Sequence, residues 1–292
     1  MEFKGAFTAL ITPFRNNEID EDALRKHIEY QIAAGIDGLV PCGTTGESAT
    51  MTHDEHKRVI RICIDQAGGR VPVLAGTGSN NTSEAVELTG FAKQAGADGA
   101  LLITPYYNKP TQAGVVAHFK AVAGETSLPL VVYNVPGRTG TNVLPETMAR
   151  MAREIPEVIG VKEASGNINQ ISEVIEYCGL DFSVLAGDDF VILPLMALGG
   201  RGVVSVVSNL LPGEVAGLCA ACAEQDMTQA RKLHFELAPL CRAMFLESNP
   251  IPVKTALALI NKSGLEFRLP LVEMQPENKS RLQEVLSRLS LL

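Results

Sequence analysis

The chain has 292 residues, a formal net charge of −8 and an isoelectric point near 5.2. This negative charge argues against a general nucleic-acid binder and against a protein that coats anionic membranes, because both need a positive surface field. Hydrophobic residues make up 46% of the sequence, no apolar run reaches the length of a membrane span, and the six cysteines are scattered without a disulfide framework. With no signal sequence at the N-terminus, we expect a soluble cytoplasmic protein.

Eight short apolar runs recur along the chain. Each is about four to six residues long and almost continuously apolar, as expected for parallel strands that are buried on both faces. The predicted strands are Ala6–Leu10, Gly38–Cys42, Val73–Gly76, Ala100–Thr104, Leu130–Asn134, Val158–Glu163, Ser183–Gly187 and Gly202–Val206.

The stretches between these runs have the spacing and end signals of helices. Asp20 or Asp22 could cap a helix that stops at Gly35. Two further helices are predicted from Ser83 to Ala95 and from Thr111 to Ala123, each stopped by the glycine that follows.

Eight consecutive strand–helix units predict an α/β fold of the (β/α)₈ barrel type. A doubly wound open sheet is the alternative, because element counts alone do not close a barrel. Residues 212–292 show helical patterns without strands and follow no flexible linker. We therefore expect a barrel over residues 1–211 and a C-terminal helical extension over residues 212–292, packed on the barrel or on another subunit.

A lysine ends the sixth predicted strand, where barrels of this type carry their chemistry. Lys162 would point its amine into the barrel mouth, where burial disfavours the ammonium and favours the neutral amine that imine formation needs. An ion pair with a neighbouring carboxylate such as Glu163 is the alternative.

The fifth predicted strand ends with Tyr133, which could exchange protons with a substrate, or could simply pack at the rim of the core. Arg138 follows in a loop rich in glycine and proline that would hold its guanidinium for bidentate carboxylate binding. A solvated surface charge is the alternative for Arg138.

The loop after the second predicted strand reads Gly43-Thr44-Thr45-Gly46. It can form a nest of N–H groups for an anion, and because it lacks the spacing of a phosphate-binding loop, a carboxylate fits better than a phosphate. An ordinary capped turn is the alternative. Together with the lysine, tyrosine and arginine, this loop predicts imine chemistry on a small oxo acid.

Two other pairs do not predict a site. His53 and His56 could share a helix face, but no third ligand follows at metal spacing, so we expect no metal. Cys219 and Cys222 lie in an apolar helical run without a second pair, which favours core cysteines over a zinc or redox site.

With these residues in place, the sequence resembles the dihydrodipicolinate synthase family of pyruvate-dependent class I aldolases, which includes N-acetylneuraminate lyase. The resemblance covers essentially the whole chain. Its most specific motifs are Gly43-Thr44-Thr45-Gly46-Glu47, Tyr133-Asn134-Val135-Pro136 with Arg138-Thr139, and Gly160-Val161-Lys162-Glu163.

The resemblance implies a Schiff base between Lys162 and pyruvate, with Tyr133 as proton donor and acceptor. Thr44 and Tyr107 would complete a proton relay, Tyr107 arriving from a neighbouring subunit. Thr45 and the amides of its loop would hold the pyruvate carboxylate.

The resemblance also implies that Arg138 binds the carboxylate of a second substrate, L-aspartate 4-semialdehyde, and that backbone groups at Gly187 and Val204 line the pocket. Family members serve the diaminopimelate route to L-lysine, need no metal or organic cofactor, and are usually homotetramers built from tight dimers. A related aldolase acting on a 2-oxo-3-deoxy sugar acid and a catalytically silent keto-acid sensor are the alternatives.

In lysine-sensitive members of the family the end product binds at the dimer interface, and matching residues here imply feedback inhibition by L-lysine. Glu84 could accept the ammonium, and Tyr106, beside Tyr107, could couple the two sites. Ordinary polar interface residues are the alternative. The matching positions are Ser48, Ala49, His53, His56, Asn80, Glu84 and Tyr106.

Overall fold

The computed structural model describes residues 2–292 as an eight-stranded parallel sheet surrounded by helices. The strands are β1 (Gly5–Ala9), β2 (Gly38–Val40), β3 (Leu74–Gly76), β4 (Gly99–Ile103), β5 (Leu130–Asn134), β6 (Val158–Glu163), β7 (Ser183–Ala186) and β8 (Gly202–Ser205). The helices longer than a single turn are α1 (Glu21–Ala33), α2 (His53–Ala67), α3 (Thr82–Ala95), α4 (Gln112–Thr126), α5 (Pro145–Glu154), α6 (Ile168–Cys178), α7 (Ile192–Ala197), α8 (Pro212–Ala223), α9 (Met227–Ala243), α10 (Ile251–Leu259) and α11 (Pro276–Arg288).

The sheet closes on itself and confirms the (β/α)₈ barrel. Strand β1 pairs in parallel with both β8 and β2, so the first and last strands are neighbours. Between β2 and β3 the closure is a single parallel bridge from Leu39 to Val73, and the Leu39 N–H donates to the Pro72 carbonyl at 3.0 Å. The doubly wound alternative is excluded because such a sheet stays open at two edges.

The barrel strands are buried on both faces, as their nearly continuous apolar sequences predict. One apolar cluster fills the barrel interior, and a larger one lies between the sheet and the helices. The interior cluster includes Phe7, Leu74, Val131, Tyr133 and Leu185. Because Tyr133 belongs to it, the packed interior ends directly at the candidate site.

Most helix ends follow the local signals in the sequence. Asp20 caps α1 by accepting a hydrogen bond from the Ala23 N–H, and Gly96 ends α3 with a φ of +95°. The predicted stop of α4 at Gly124 is wrong, since the helix continues to Thr126. Thr126 is buried, so packing of this last turn outweighs the helix penalty of glycine, about 1 kcal/mol.

The C-terminal helices lie on the barrel. Helix α8 packs against β1 and completes the eighth strand–helix unit, while α9 packs on α8 and α11 on both α9 and α10. Helix α8 covers the sheet as the preceding seven helices do. The division of the chain between residues 211 and 212 stays a prediction. Within residues 2–292, no helix combines the length and apolarity needed to cross a bilayer.

Candidate active site

Lys162 and Tyr133 lie side by side at the carboxyl end of the barrel, as partners in the register of β6 and β5. The Lys162 Nζ atom lies 4.3 Å from the centroid of the Tyr133 ring, and the two residues are 6% and 7% exposed. Among residues 2–292, no carboxylate forms an ion pair with Lys162. A buried amine without a counter-charge, beside a phenol, is suited to attack on a carbonyl.

Glu163 is engaged elsewhere, which removes the ion-pair alternative for Lys162. Successive residues of a strand point to opposite faces. The Glu163 carboxylate accepts hydrogen bonds from Asn134 Nδ2 at 2.9 Å and from the Ser165 N–H at 2.8 Å. It also accepts from Gln170 Nε2 at 3.2 Å. These bonds connect β5, β6 and α6, and so hold the two strand ends that carry the lysine and the tyrosine.

A cavity of about 130 Å³ borders the Lys162 side chain. Its volume is far below the roughly 300–1,000 Å³ of drug-sized sites, so it suits a ligand of a few carbons. Six of the eight residues predicted to be catalytic or to bind substrate line it, namely Thr44, Thr45, Tyr133, Arg138, Lys162 and Gly187.

A larger groove, of about 1130 Å³, opens at the opposite end of the barrel beside Gly5 and Arg201. None of the residues predicted for the site lines it. Because barrel chemistry takes place at the carboxyl ends of the strands, the smaller cavity is the candidate active site.

Two predicted residues lie outside the cavity lining. Val204 is buried in the barrel interior, and Val206 lines the cavity two residues further along. Tyr107 is 88% exposed, with a left-handed φ of +69°. Their roles toward substrate stay predictions, and for Tyr107 the exposure is consistent with a side chain that reaches a neighbouring subunit.

The loop after β2 borders the cavity and carries two N–H groups that its own turn does not use. Within residues 2–292, the N–H groups of Thr44 and Thr45 donate to no acceptor. Those of Gly46 and Glu47 close the turn, donating at 3.1 Å to the carbonyls of Gly43 and Thr44. The free amides and hydroxyls make this loop able to bind an anion.

The C-terminal region holds this loop through contacts that sequence reasoning missed. Asn249 Nδ2 donates to Thr45 Oγ1 at 3.0 Å, and Lys254 forms an ion pair with Glu47 in which both side chains are fully buried. The two partners are 204 positions apart in the first contact and 207 positions apart in the second. The only signal in the sequence is that Glu47 belongs to the motif after β2, which points to the second contact.

Arg138 stands at the cavity on the single helical turn Pro136–Thr139. Its Nη2 donates to the Asn249 carbonyl at 3.4 Å, and no carboxylate within residues 2–292 forms an ion pair with it. A guanidinium without a carboxylate partner can receive one from a ligand. Gly187 completes this wall, where a Cβ would lie 2.4 Å from that of Ala164.

The residues predicted to bind lysine lie on three connected segments after β2, β3 and β4. His56 bonds the Gly76 carbonyl through Nε2 at 2.7 Å, and Asn108 Nδ2 donates to the Asn80 carbonyl at 2.9 Å. Burial lowers the pKa of His56. The structure thus brings these residues to one side of the barrel end. On that side lie Ser48, Ala49, His53, His56, Asn80, Glu84 and Tyr106.

Comparison with known proteins gives one consistent result. Residues 2–289 match the model of the dihydrodipicolinate synthetase family. A 4-hydroxy-tetrahydrodipicolinate synthase of Nitratidesulfovibrio vulgaris (strain Miyazaki F) is 67% identical over 287 residues, which cover 98% of each chain.

Solved structures share the fold throughout. Dihydrodipicolinate synthase from Aquifex aeolicus is 48% identical with a TM-score of 0.98, over 99% of each chain. The chloride-inhibited enzyme of Acinetobacter baumannii, complexed with pyruvate, is 41% identical with a TM-score of 0.97 over 99% of each chain. The enzyme from Cyanidioschyzon merolae with lysine bound is 38% identical with a TM-score of 0.96, again over 99% of each chain.

These matches span the chain and confirm the resemblance carried by the three motifs. The chain therefore belongs to the dihydrodipicolinate synthetase family and is a lyase of that family.

Proposed function

We propose that this lyase condenses pyruvate with L-aspartate 4-semialdehyde, the reaction of a 4-hydroxy-tetrahydrodipicolinate synthase. The observation that carries the proposal is the unpaired Lys162 amine, 4.3 Å from the Tyr133 ring centroid, in a cavity sized for a few carbons. The names of the relatives and the pyruvate complex of the Acinetobacter baumannii enzyme support it.

In the proposed mechanism the neutral Lys162 amine attacks the keto carbon of pyruvate, and loss of water gives an imine. Removal of a methyl proton converts the imine to an enamine, whose carbon attacks the aldehyde of the second substrate. The amine of that substrate then displaces the lysine and closes the ring, which releases the enzyme. Tyr133, with Thr44 and a neighbouring subunit's copy of Tyr107, exchanges protons during these steps.

Each of the two substrates carries a carboxylate, and a different group of the protein binds each one. Thr45 and the free amides of its loop bind the pyruvate carboxylate, and Arg138 binds the carboxylate of the aldehyde. Backbone groups at Gly187 and Val204 line the pocket near the lysine. No metal or organic cofactor takes part in this scheme.

The proposal includes a homotetramer built from tight dimers. Tyr107, 88% exposed beside the 38% exposed Tyr106, supports the tight dimer, because its side chain would complete the site of the next subunit. A second set of exposed apolar side chains on adjoining elements supports a further contact between copies of the chain. These side chains are Ile168, Phe190, Leu198 and Phe235.

We also propose feedback inhibition by L-lysine and a cytoplasmic location. Glu84 supplies a carboxylate for an ammonium group, and the lysine-bound enzyme of Cyanidioschyzon merolae shows this ligand on a relative. Scattered thiols and the absence of a disulfide framework are consistent with a reducing compartment.

A comparison of substrates tests the proposed reaction. With pyruvate present, L-aspartate 4-semialdehyde should be consumed with kcat/KM at least about 100-fold above that for cleavage of a 2-oxo-3-deoxy sugar acid. Faster cleavage of the sugar acid would favour the sibling aldolase. Pyruvate binding without any turnover would favour a sensor.

A further inference from the structure

Asn249 connects the two groups that would bind the carboxylates of the substrates. Its Nδ2 donates to Thr45 Oγ1 at 3.0 Å, and its backbone carbonyl accepts from Arg138 Nη2 at 3.4 Å. The residue lies between α9 and α10, is 6% exposed and borders the cavity. A single residue of the C-terminal region is thus in contact with both carboxylate-binding groups.

The stability of the fold does not explain the side-chain amide of Asn249. Its Oδ1 atom is buried and has no hydrogen-bond partner within residues 2–292. An unpaired buried acceptor destabilises a fold, and an apolar side chain of similar size would avoid that cost. Uncompensated features of this kind are expected at functional sites. The function of the amide therefore depends on its one hydrogen bond, which it donates to Thr45.

That hydrogen bond fixes the role of the Thr45 hydroxyl. An amide NH₂ group only donates, so the hydroxyl oxygen of Thr45 accepts from it. The hydroxyl proton then points away from Asn249 and is free to donate to an anion in the cavity. Without the amide, the hydroxyl can rotate and present its lone pairs to a carboxylate, which repels it.

We infer that Asn249 is a positioning residue for pyruvate, holding the Thr45 hydroxyl as a donor to the pyruvate carboxylate. This inference rests on the proposed function and assigns the side chain to the first substrate only. The contact with Arg138 comes from the backbone carbonyl, which a substitution of the side chain leaves in place.

Steady-state kinetics of Asn249→Ala, Thr45→Val and the double variant test the inference. Asn249→Ala raises the KM for pyruvate about tenfold, and the KM for L-aspartate 4-semialdehyde and kcat at saturating pyruvate stay within about twofold of wild type. In the Thr45→Val background the same substitution adds less than about twofold, because the hydroxyl that it positions is gone. Asn249→Ser, which leaves a smaller void, carries the same expectations should the alanine variant fold poorly.

Three results overturn the inference. An unchanged KM for pyruvate removes the role, equal increases in both KM values indicate a distorted segment, and multiplicative effects in the double variant show that Asn249 does not act through Thr45. If the wild-type enzyme forms no product from the two substrates, the proposed function fails and takes the inference with it.

Discussion

The ammonium of Lys254 is enclosed in the protein interior against the carboxylate of Glu47, and neither side chain is exposed. Lys254 also donates to the carbonyls of Thr12 at 3.1 Å and Glu266 at 2.6 Å. Burial lowers the pKa of Lys254, while the adjacent Glu47 carboxylate opposes that shift. The pair fastens α10 to the loop that presents the threonines to the cavity.

Removing one partner of this pair leaves the other charge buried and unpaired. Lys254→Met is expected to lower the free energy of unfolding by about 3–5 kcal/mol, measured by urea denaturation at fixed protein concentration. Glu47→Gln in the Lys254→Met background should recover most of the loss, because it removes the uncompensated charge. A double variant as unstable as Lys254→Met would contradict this explanation.

The proposed sharing of Tyr107 between subunits predicts complementation. Lys162→Ala and Tyr107→Ala are each expected to be nearly inactive when pure. After the two variants are unfolded together and refolded in equal amounts, about a quarter of wild-type activity should return, since half of the dimers then carry one intact site of two. Activity no greater than the sum of the separate variants would show that Tyr107 does not act across subunits.

Inhibition by L-lysine should depend on Glu84. Glu84→Gln is expected to raise the lysine concentration that halves the initial rate by about tenfold or more, because a charged hydrogen bond to the ligand ammonium is weakened. Glu87, one turn later on α3 and paired with Lys57 at 2.5 Å, offers the matched control, and Glu87→Gln should leave that concentration unchanged. Wild-type rates that are unaffected by millimolar lysine, or equal effects of the two substitutions, would refute the site.

Stability should fall in mild acid because of His27. Its burial lowers its pKa from 6.5 to about 4, although a hydrogen bond of 2.9 Å between Nε2 and Asn209 Oδ1 opposes the shift. The unfolded chain therefore takes up this proton at a higher pH than the folded one, and stability present above about pH 6.5 is lost as the pH falls towards 4.

For His27 alone the loss between pH 7.5 and pH 5 is about 2 kcal/mol, measured by urea unfolding at the two pH values. His118, whose pKa burial also lowers to about 4, adds a loss of the same sign. His27→Gln should reduce the difference between the two pH values, and His27→Gln with His118→Gln should reduce it further. A pH dependence identical to wild type in the double variant would contradict the assignment.

The barrel could be predicted from the sequence because short local patterns mark its strands and helices. Each strand is a short apolar run, several helices end at a glycine, and the predicted bounds of β5 and β6 agree with the structure at every residue. Lys162 and Tyr133 could be named because strand ends converge at one face of a barrel. Where local signals competed with packing, as at Gly124, the prediction failed.

The contacts that hold the loop after β2 could not be predicted from the sequence in the same way. Asn249 reaches Thr45, and Lys254 reaches Glu47, only because the C-terminal helices fold back on the loop after β2. Nothing near Asn249 in the sequence signals that contact. The cavity is lined by Val206, whereas Val204 was predicted to line it. Val206 follows the last residue of β8, and beyond a strand end the alternation of side chains no longer predicts where a side chain points.

Borohydride reduction in the presence of pyruvate, followed by mass spectrometry of the digested protein, tests the central claim most directly. We expect the reduced pyruvyl group on the peptide that carries Lys162, and we expect Lys162→Ala to abolish the adduct. An adduct on another lysine, or none in the wild-type enzyme, would contradict the account.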